Sequence, residues 1–482
     1  MTAGATPLVV TVGLAYFAVC AVIGVAAARR TRTPADFFAA GRGLGVVTLA
    51  LSSMAATLSG FAFVGGPALV YRVGFGAVFL VLPASITATL TAWVLGRPLR
   101  ALAVRHGVLT LPEALGTRYG SPRVHAASAI ALLIAVIGYV ATNLLALGLA
   151  LDAIFGCGLA AGVALGTAAT VAYTATGGIL AGVWTDVFQG LLMALASAAV
   201  FVVAAGAGGG PAVLIRAIAA ESPAWVGPWG TVGATTALSW FFVFGIGTLG
   251  QPHVLHKFFM MRDDRVLRWY PALMTGALGV TLLLYVGVGL AMRGLVALGL
   301  ESAPVRPDDV TPTFLLRHVP PLLAALVFSG VAAAIMSTVN AFLNVGAAAL
   351  THDLPRAAGR PLARPLAAGR LATVALALAA AGVALWSDAL VAFLAIFGWG
   401  LFASVFTPAL AIGLHWPAAS ARAALASIGT GVTLTLGLES LAALRVAALP
   451  AGVPVAGISL VASTAVFLAV GALDARGEVA RD

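Results

Sequence analysis

The sequence predicts an all-α polytopic membrane protein of about thirteen transmembrane helices. Three observations lead there. Of the 482 residues, 61% are hydrophobic and only 9% are charged, too little polar surface to cover a soluble fold of this size. Apolar runs of about 20 residues recur along the whole length. Basic residues fall in alternate connections, the asymmetry expected of loops on the two sides of a bilayer.

In chain order, the first run, 7–28, is longer than a signal-peptide core and has no basic segment before it, so it is read as a retained span. The next is 44–70, with Ser52, Ser53, Thr57, Ser59 and Gly60 at its middle and Gly65, Gly66 and Pro67 after them. The runs 75–97, 125–155, 158–176 and 183–206 follow. The seventh, 233–250, carries Gly245, Gly247 and Gly250 and leads into Gln251, Pro252 and His253. The runs 271–293, 319–348, 367–387, 389–414, 420–440 and 453–473 complete the set.

The formal charge of +10 is no nucleic-acid footprint. Of the 26 basic residues, 20 sit in one set of loops, among them Arg29, Arg42, Arg100, Arg118, Lys257, Arg268, Arg356 and Arg476. The other set holds six: Arg72, Arg216, Arg293, Arg306, Arg317 and Arg445. This bias predicts the N-terminus outside and the C-terminus in the cytoplasm. Cys20 and Cys157 belong to no disulfide framework or metal cluster. The connections 207–232 and 294–318 and the short tail leave no room for a fused output module, so function is expected within the membrane.

Two segments point to a site there. Gly and Pro in the second and seventh runs free backbone amides and carbonyls, which hydrocarbon tolerates only where they line a cavity or bind something. The two lie five spans apart, as symmetry mates of an inverted repeat would, and such paired breaks mark mid-membrane sites in secondary transporters. Close helix packing through small residues would leave the same pattern. Ser337 and Thr338, mid-run in 319–348, point about 100° apart and can offer two oxygens to one small cation. Helix–helix hydrogen bonding or bonding back to the preceding turn is the alternative.

From about Asp36 to Asp353 these residues resemble the sodium–solute symporter family. The resemblance is carried by Asp36–Arg42, by Leu111, Pro112 and Glu113 with Arg118, Tyr119 and Gly120, and by Tyr173–Gly178 followed by Trp184, Thr185, Asp186 and Gln189. Gly247–His253 and Ala334–Thr338 complete it. It implies a LeuT-type 5+5 inverted repeat with one extra N-terminal and two extra C-terminal helices. The whole chain, 1–482, would be a single transporter domain, with core repeats at about 44–206 and 233–414 and peripheral helices at 7–28, 420–440 and 453–473.

The resemblance further implies a sodium site of the Ala55, Leu58 and Ala334 carbonyls with the Ser337 and Thr338 hydroxyls. Neutral oxygens suit a monovalent ion that must also leave. Asp186 is expected as an ion relay or part of a second site, or else as an interfacial acid capping the sixth span. Some family members complete a second sodium site with two further hydroxyls. Asn340 and Ala341 stand there, so one coupling ion is expected.

Substrate contacts are expected among Thr57, Ser59, Tyr139, Asn143, Trp240, Phe244 and Thr248, each of which would also serve packing. No charged residue occupies the middle of the fourth span, which argues against a strongly anionic solute. A neutral solute, a zwitterion or a monocarboxylate held by helix N-termini fits better. Proline carriers of the family have larger aromatic groups at Phe244 and Thr248, which argues against proline itself.

His253, His256 and Lys257 lack the partners of a catalytic or transition-metal centre. Asp263, Asp264, Asp308 and Asp309 are expected as caps and surface pairs in solvated loops. Trp399 and Phe402 are gate candidates, or core. The expectation is a sodium-coupled importer of a small organic solute in a bacterial inner membrane, with no catalytic residues, no nucleic acid and no obligate protein partner. Its rivals are a proton-coupled or uncoupled carrier on the same fold and a membrane sensor.

Overall fold

A computed structural model of the protein describes residues 7–29, 43–386, 391–444 and 452–479. The motif Asp36–Arg42 lies outside them. Among the described residues the structure is helical throughout, with no strand beyond one isolated bridge between Leu44 and Met261. Among the described residues eleven helices are long and apolar enough to cross a bilayer, and two shorter apolar helices, Val46–Thr57 and Leu159–Ala172, supply parts of further spans. The predicted thirteen is therefore an approximate count.

Both predicted breaks are present. The run 44–70 forms the half-helix Val46–Thr57, leaves helical geometry at Leu58 and Ser59, and resumes through a π-turn, Phe61–Gly65, into Gly66–Val73. Gly60 sits where a Cβ would lie 2.4 Å from the Ala146 side chain, so only glycine lets the break approach the helix Pro122–Phe155. The second break follows Gly233–Ile246. A 3-10 turn, Gly247–Gly250, and extended Gln251 lead to the short helix Pro252–Leu255 and a 3-10 turn, His256–Met260. A Cβ on Gly250 would lie 2.6 Å from the Phe402 carbonyl.

The expected connection at 177–182 is helical in its backbone and forms no loop. Helical backbone is continuous from Leu159 to Gly206, and the apolar helices Leu159–Ala172 and Ile179–Gly209 meet within it. Gly177 and Gly178 sit at the expected boundary, but glycine without proline costs a helix only about 1 kcal/mol.

The helix Pro321–Ala348 is the central element. From Val327 onward every one of its residues is buried, and it packs against 159–206, 122–155, 7–28, 365–386 and 46–57. A hydroxyl on this helix therefore faces protein, whatever its angle.

Candidate functional site

The first break delivers carbonyls with no helical partner. In an unbroken helix the Gly60 amide would bond the Ala56 carbonyl. It instead donates to Asn143 Oδ1 at 2.9 Å, and Asn143 Nδ2 donates to the Tyr139 carbonyl at 2.8 Å. The Ala62 amide goes to the Ser59 carbonyl rather than to Leu58. The Ala56 and Leu58 carbonyls are thereby left facing the 321–348 helix.

Thr338 meets them. Its Oγ1 lies 3.1 Å from the Ala56 carbonyl, 3.1 Å from that of Leu58 and 3.0 Å from that of Ala334. A hydroxyl has one proton, so it cannot satisfy three carbonyls at once. The surplus of buried oxygen is the donor set a small hard cation takes. Three of the five expected ligands, Leu58, Ala334 and Thr338, converge here. Ala56 takes the place expected of Ala55, which is buried one residue earlier.

Ser337 and Asp186 form a second, connected group. Ser337 Oγ donates to Asp186 Oδ1 at 2.5 Å, and Asp186 Oδ2 accepts from Lys257 Nζ at 2.7 Å. Lys257 Nζ also donates to the Ser52 carbonyl at 2.7 Å. Asp186 is 1% exposed in the interior of a continuous helix, so it caps no helix end. Asn340 accepts from Asn344 Nδ2 at 3.0 Å, and its own amide nitrogen lies against Gly182 on the same helix as Asp186.

Beside the first break is a cavity with about 530 Å³ of empty space, counting its mouth. Thr57, Leu58, Phe61 and Ala62 form one wall, and Tyr139, Phe244 and Trp399 another. Leu80, Val81, Pro83, Ala84 and Thr87 close it with Leu278 and Leu282. Phe244 stacks on Trp399 with centroids 4.9 Å apart, and Phe61 lies 6.0 Å from Phe244. The apolar, aromatic lining suits the body of a small solute.

Of the substrate candidates, Thr57, Tyr139 and Phe244 line the cavity. Ser59 and Asn143 instead bond the break's amides, Ser59 Oγ accepting from the Phe61 amide at 3.2 Å. Trp240 and Thr248 are buried but outside the lining. Trp399 lines it, while Phe402 stacks on Phe342 behind it. The sequence reading passed over Phe61, which directly follows the break glycine and could have been found by that position. Thr87, Leu278 and Leu282 carry no such signal. It also left Lys257 without a partner. His253 is buried beneath the aromatic wall, its ring 6.2 Å from that of Trp399 and both nitrogens without a hydrogen-bond partner.

The loop acids divide. Asp264 pairs with Arg100 at 2.9 Å and Asp263 accepts from the Arg265 amide, as expected of caps and surface pairs. Asp308 departs from that expectation. It is 5% exposed and accepts from the Val391 amide at 3.1 Å. This carboxylate supplies an acceptor to a buried backbone amide at the start of the described helix Val391–Thr407.

The profile of the sodium:solute symporter family matches residues 37–431. The osmoregulated proline transporter OpuE of Bacillus subtilis (strain 168) is 28% identical, over 89% of this chain and 88% of its own. The sodium/pantothenate symporter of Escherichia coli (strain K12) is 27% identical, over 89% and 90%. A structure of a Na+-coupled sialic acid symporter, in a substrate-bound outward-open state, superposes with a TM-score of 0.80 at 18% identity over 98% of both chains, which fixes the LeuT-type fold. With broken helices, an oxygen-rich junction and a family match over most of its length, the chain belongs to the sodium:solute symporter family.

Proposed function

We propose that the protein is a sodium-coupled importer of a small organic solute that works by alternating access. The observation that carries this is the meeting of one hydroxyl proton with three carbonyls at Thr338. Sodium held there would join the broken 46–57 half-helix to the 321–348 helix. An ion that ties two elements together in one conformation but not in another shifts the balance between them, and in such linkages the difference is about 1–3 kcal/mol. The solute would sit beside the ion in the aromatic-walled cavity. The proposed location is a bacterial inner membrane, N-terminus outside.

The lining narrows the solute. No charged side chain faces the cavity. The Gly60 and Phe61 amides, which could have held a carboxylate, are already bonded by Asn143 and Ser59. A neutral or zwitterionic solute with an apolar body therefore fits better than a bare monocarboxylate. Relatives named as proline and pantothenate carriers support a small organic solute without fixing which one.

One observation favours a carrier that needs no sodium: Lys257 already places a cation on Asp186, beside the site. A thermal-shift screen of solutes, with sodium chloride against potassium or choline chloride, followed by uptake into proteoliposomes, separates the two readings. Thr338→Ala should raise the sodium needed for half-maximal uptake by about tenfold or more, since a buried ligand oxygen is lost, with little change in expression. Unchanged sodium dependence in that variant would remove the site.

A further inference from the structure

We propose that Lys257 is a tethered competitor of the transported ion, a built-in cation that holds Asp186 and the 46–57 half-helix and thereby weakens sodium binding enough for the ion to leave. This rests on the sodium reading above and concerns what sets the affinity of that site.

The geometry is one continuous chain. Thr338 collects the three carbonyls, its neighbour Ser337 donates to one oxygen of Asp186, and the other oxygen holds the ammonium. Lys257 is 3% exposed, so its charge is poorly screened. The same ammonium bonds the Ser52 carbonyl, within the half-helix that contributes Ala56 and Leu58. Three separate elements, 46–57, 159–206 and the turn after the second break, meet on one nitrogen.

A single carboxylate serving two cations must divide its field between them. A Ser337 hydroxyl that donates to a full carboxylate carries a more negative oxygen and favours a nearby cation. Where the carboxylate is already neutralised by an ammonium 2.7 Å away, that help is reduced. Two positive charges close together in a low-dielectric interior also repel each other directly. Lys257 thus lowers sodium affinity through Asp186 and through space. It does so with a charge that cannot diffuse away, because its backbone is fixed next to the second break. The arrangement suits a symporter, whose ion must bind from one side and be released to the other.

The test uses the full-length protein in detergent and reads the sodium concentration that gives half of the thermal stabilisation, with potassium chloride keeping the ionic strength constant. Lys257→Met should lower that concentration by about fivefold or more, a coupling typical of linked sites. Asp186→Asn should raise it by about tenfold or more, because an unneutralised ammonium then faces the site. The double variant Asp186→Asn/Lys257→Met, which leaves neither charge buried alone, should bind sodium more tightly than Asp186→Asn. If Lys257→Met does not fold, that second comparison decides. A sodium midpoint unmoved or raised by removing Lys257, in either background, overturns the proposal while leaving the sodium site standing. Wild-type protein that sodium does not stabilise at all would instead sink both.

Discussion

At Asp308 one carboxylate oxygen accepts the Val391 amide and the other has no partner. Burial is the main reason its pKa is pushed up to about 6, and Asp309 adds to the shift while the Val391 bond and Arg306 oppose it. The sign follows directly. Below the unfolded value near 3.8 both states hold the proton, and the folded protein keeps its full advantage. As pH rises from there through about 6, the unfolded chain ionises first and stability is lost, on the order of 3 kcal/mol. Asp308→Asn keeps an acceptor for Val391 without the charge. It should flatten the fall in melting temperature between pH 4 and pH 6.5 relative to wild type. An identical slope in the variant would show that other groups carry the effect. Sequence context could not give this burial, because an Asp-Asp pair in a polar connection looks the same whether it faces water or a neighbouring helix end.

The breaks are the elements on which the proposed sodium site rests, and they were legible because glycine and proline leave a compositional mark. Gly60, Gly247 and Pro252 announce interrupted helices without any knowledge of tertiary contacts. Leu58, Ala334 and Thr338 also came together as expected, since a break fixes which carbonyls are freed. What escaped was lateral pairing. Lys257 and Asp186 are 71 positions apart, and nothing local tells a buried lysine from a loop lysine. The helical backbone at 177–182 escaped for the opposite reason: two glycines without a proline need not form a loop. Asn143 shows how a remote side chain governs a break. By taking the Gly60 amide it keeps the Ala56 carbonyl free. Asn143→Ala should let Gly60 bond Ala56 and rewind the junction, or else leave the buried amide unpaired at about 1–3 kcal/mol. Either way, sodium-induced stabilisation should shrink and amide exchange at residues 58–62 should change, which hydrogen-exchange mass spectrometry reads. Normal sodium stabilisation in this variant would mean that the break is held by the glycine packing alone.

Across the whole molecule, direction of transport depends on which face is cytoplasmic, and the basic residues are the argument for it. Arg97, Arg100, Arg118, Arg262 and Arg356 belong to one set of connections and Arg72, Arg216, Arg293 and Arg306 to the other. Contacts keep the first set together: Arg100 reaches Asp264 and the Arg262 carbonyl, and Arg356 pairs with Glu113 at 2.6 Å. The Lys257 tether approaches the site from this end of the second break, so its proposed role in ion release requires this end to face the cytoplasm. The two cysteines supply a test without engineering. Cys157 is exposed in the short connection between the helices Pro122–Phe155 and Leu159–Gly206, while Cys20 is buried. Cys20 also lies beside Gln189, whose amide donates to it at 3.6 Å. The charge bias puts Cys157 outside. A membrane-impermeant maleimide added to intact spheroplasts should therefore label the wild-type protein at one site, and Cys157→Ser should abolish that labelling. Labelling only after the membrane is broken would invert the topology. The Lys257 tether would then stand at the entry side, where it would limit ion capture instead of speeding ion release.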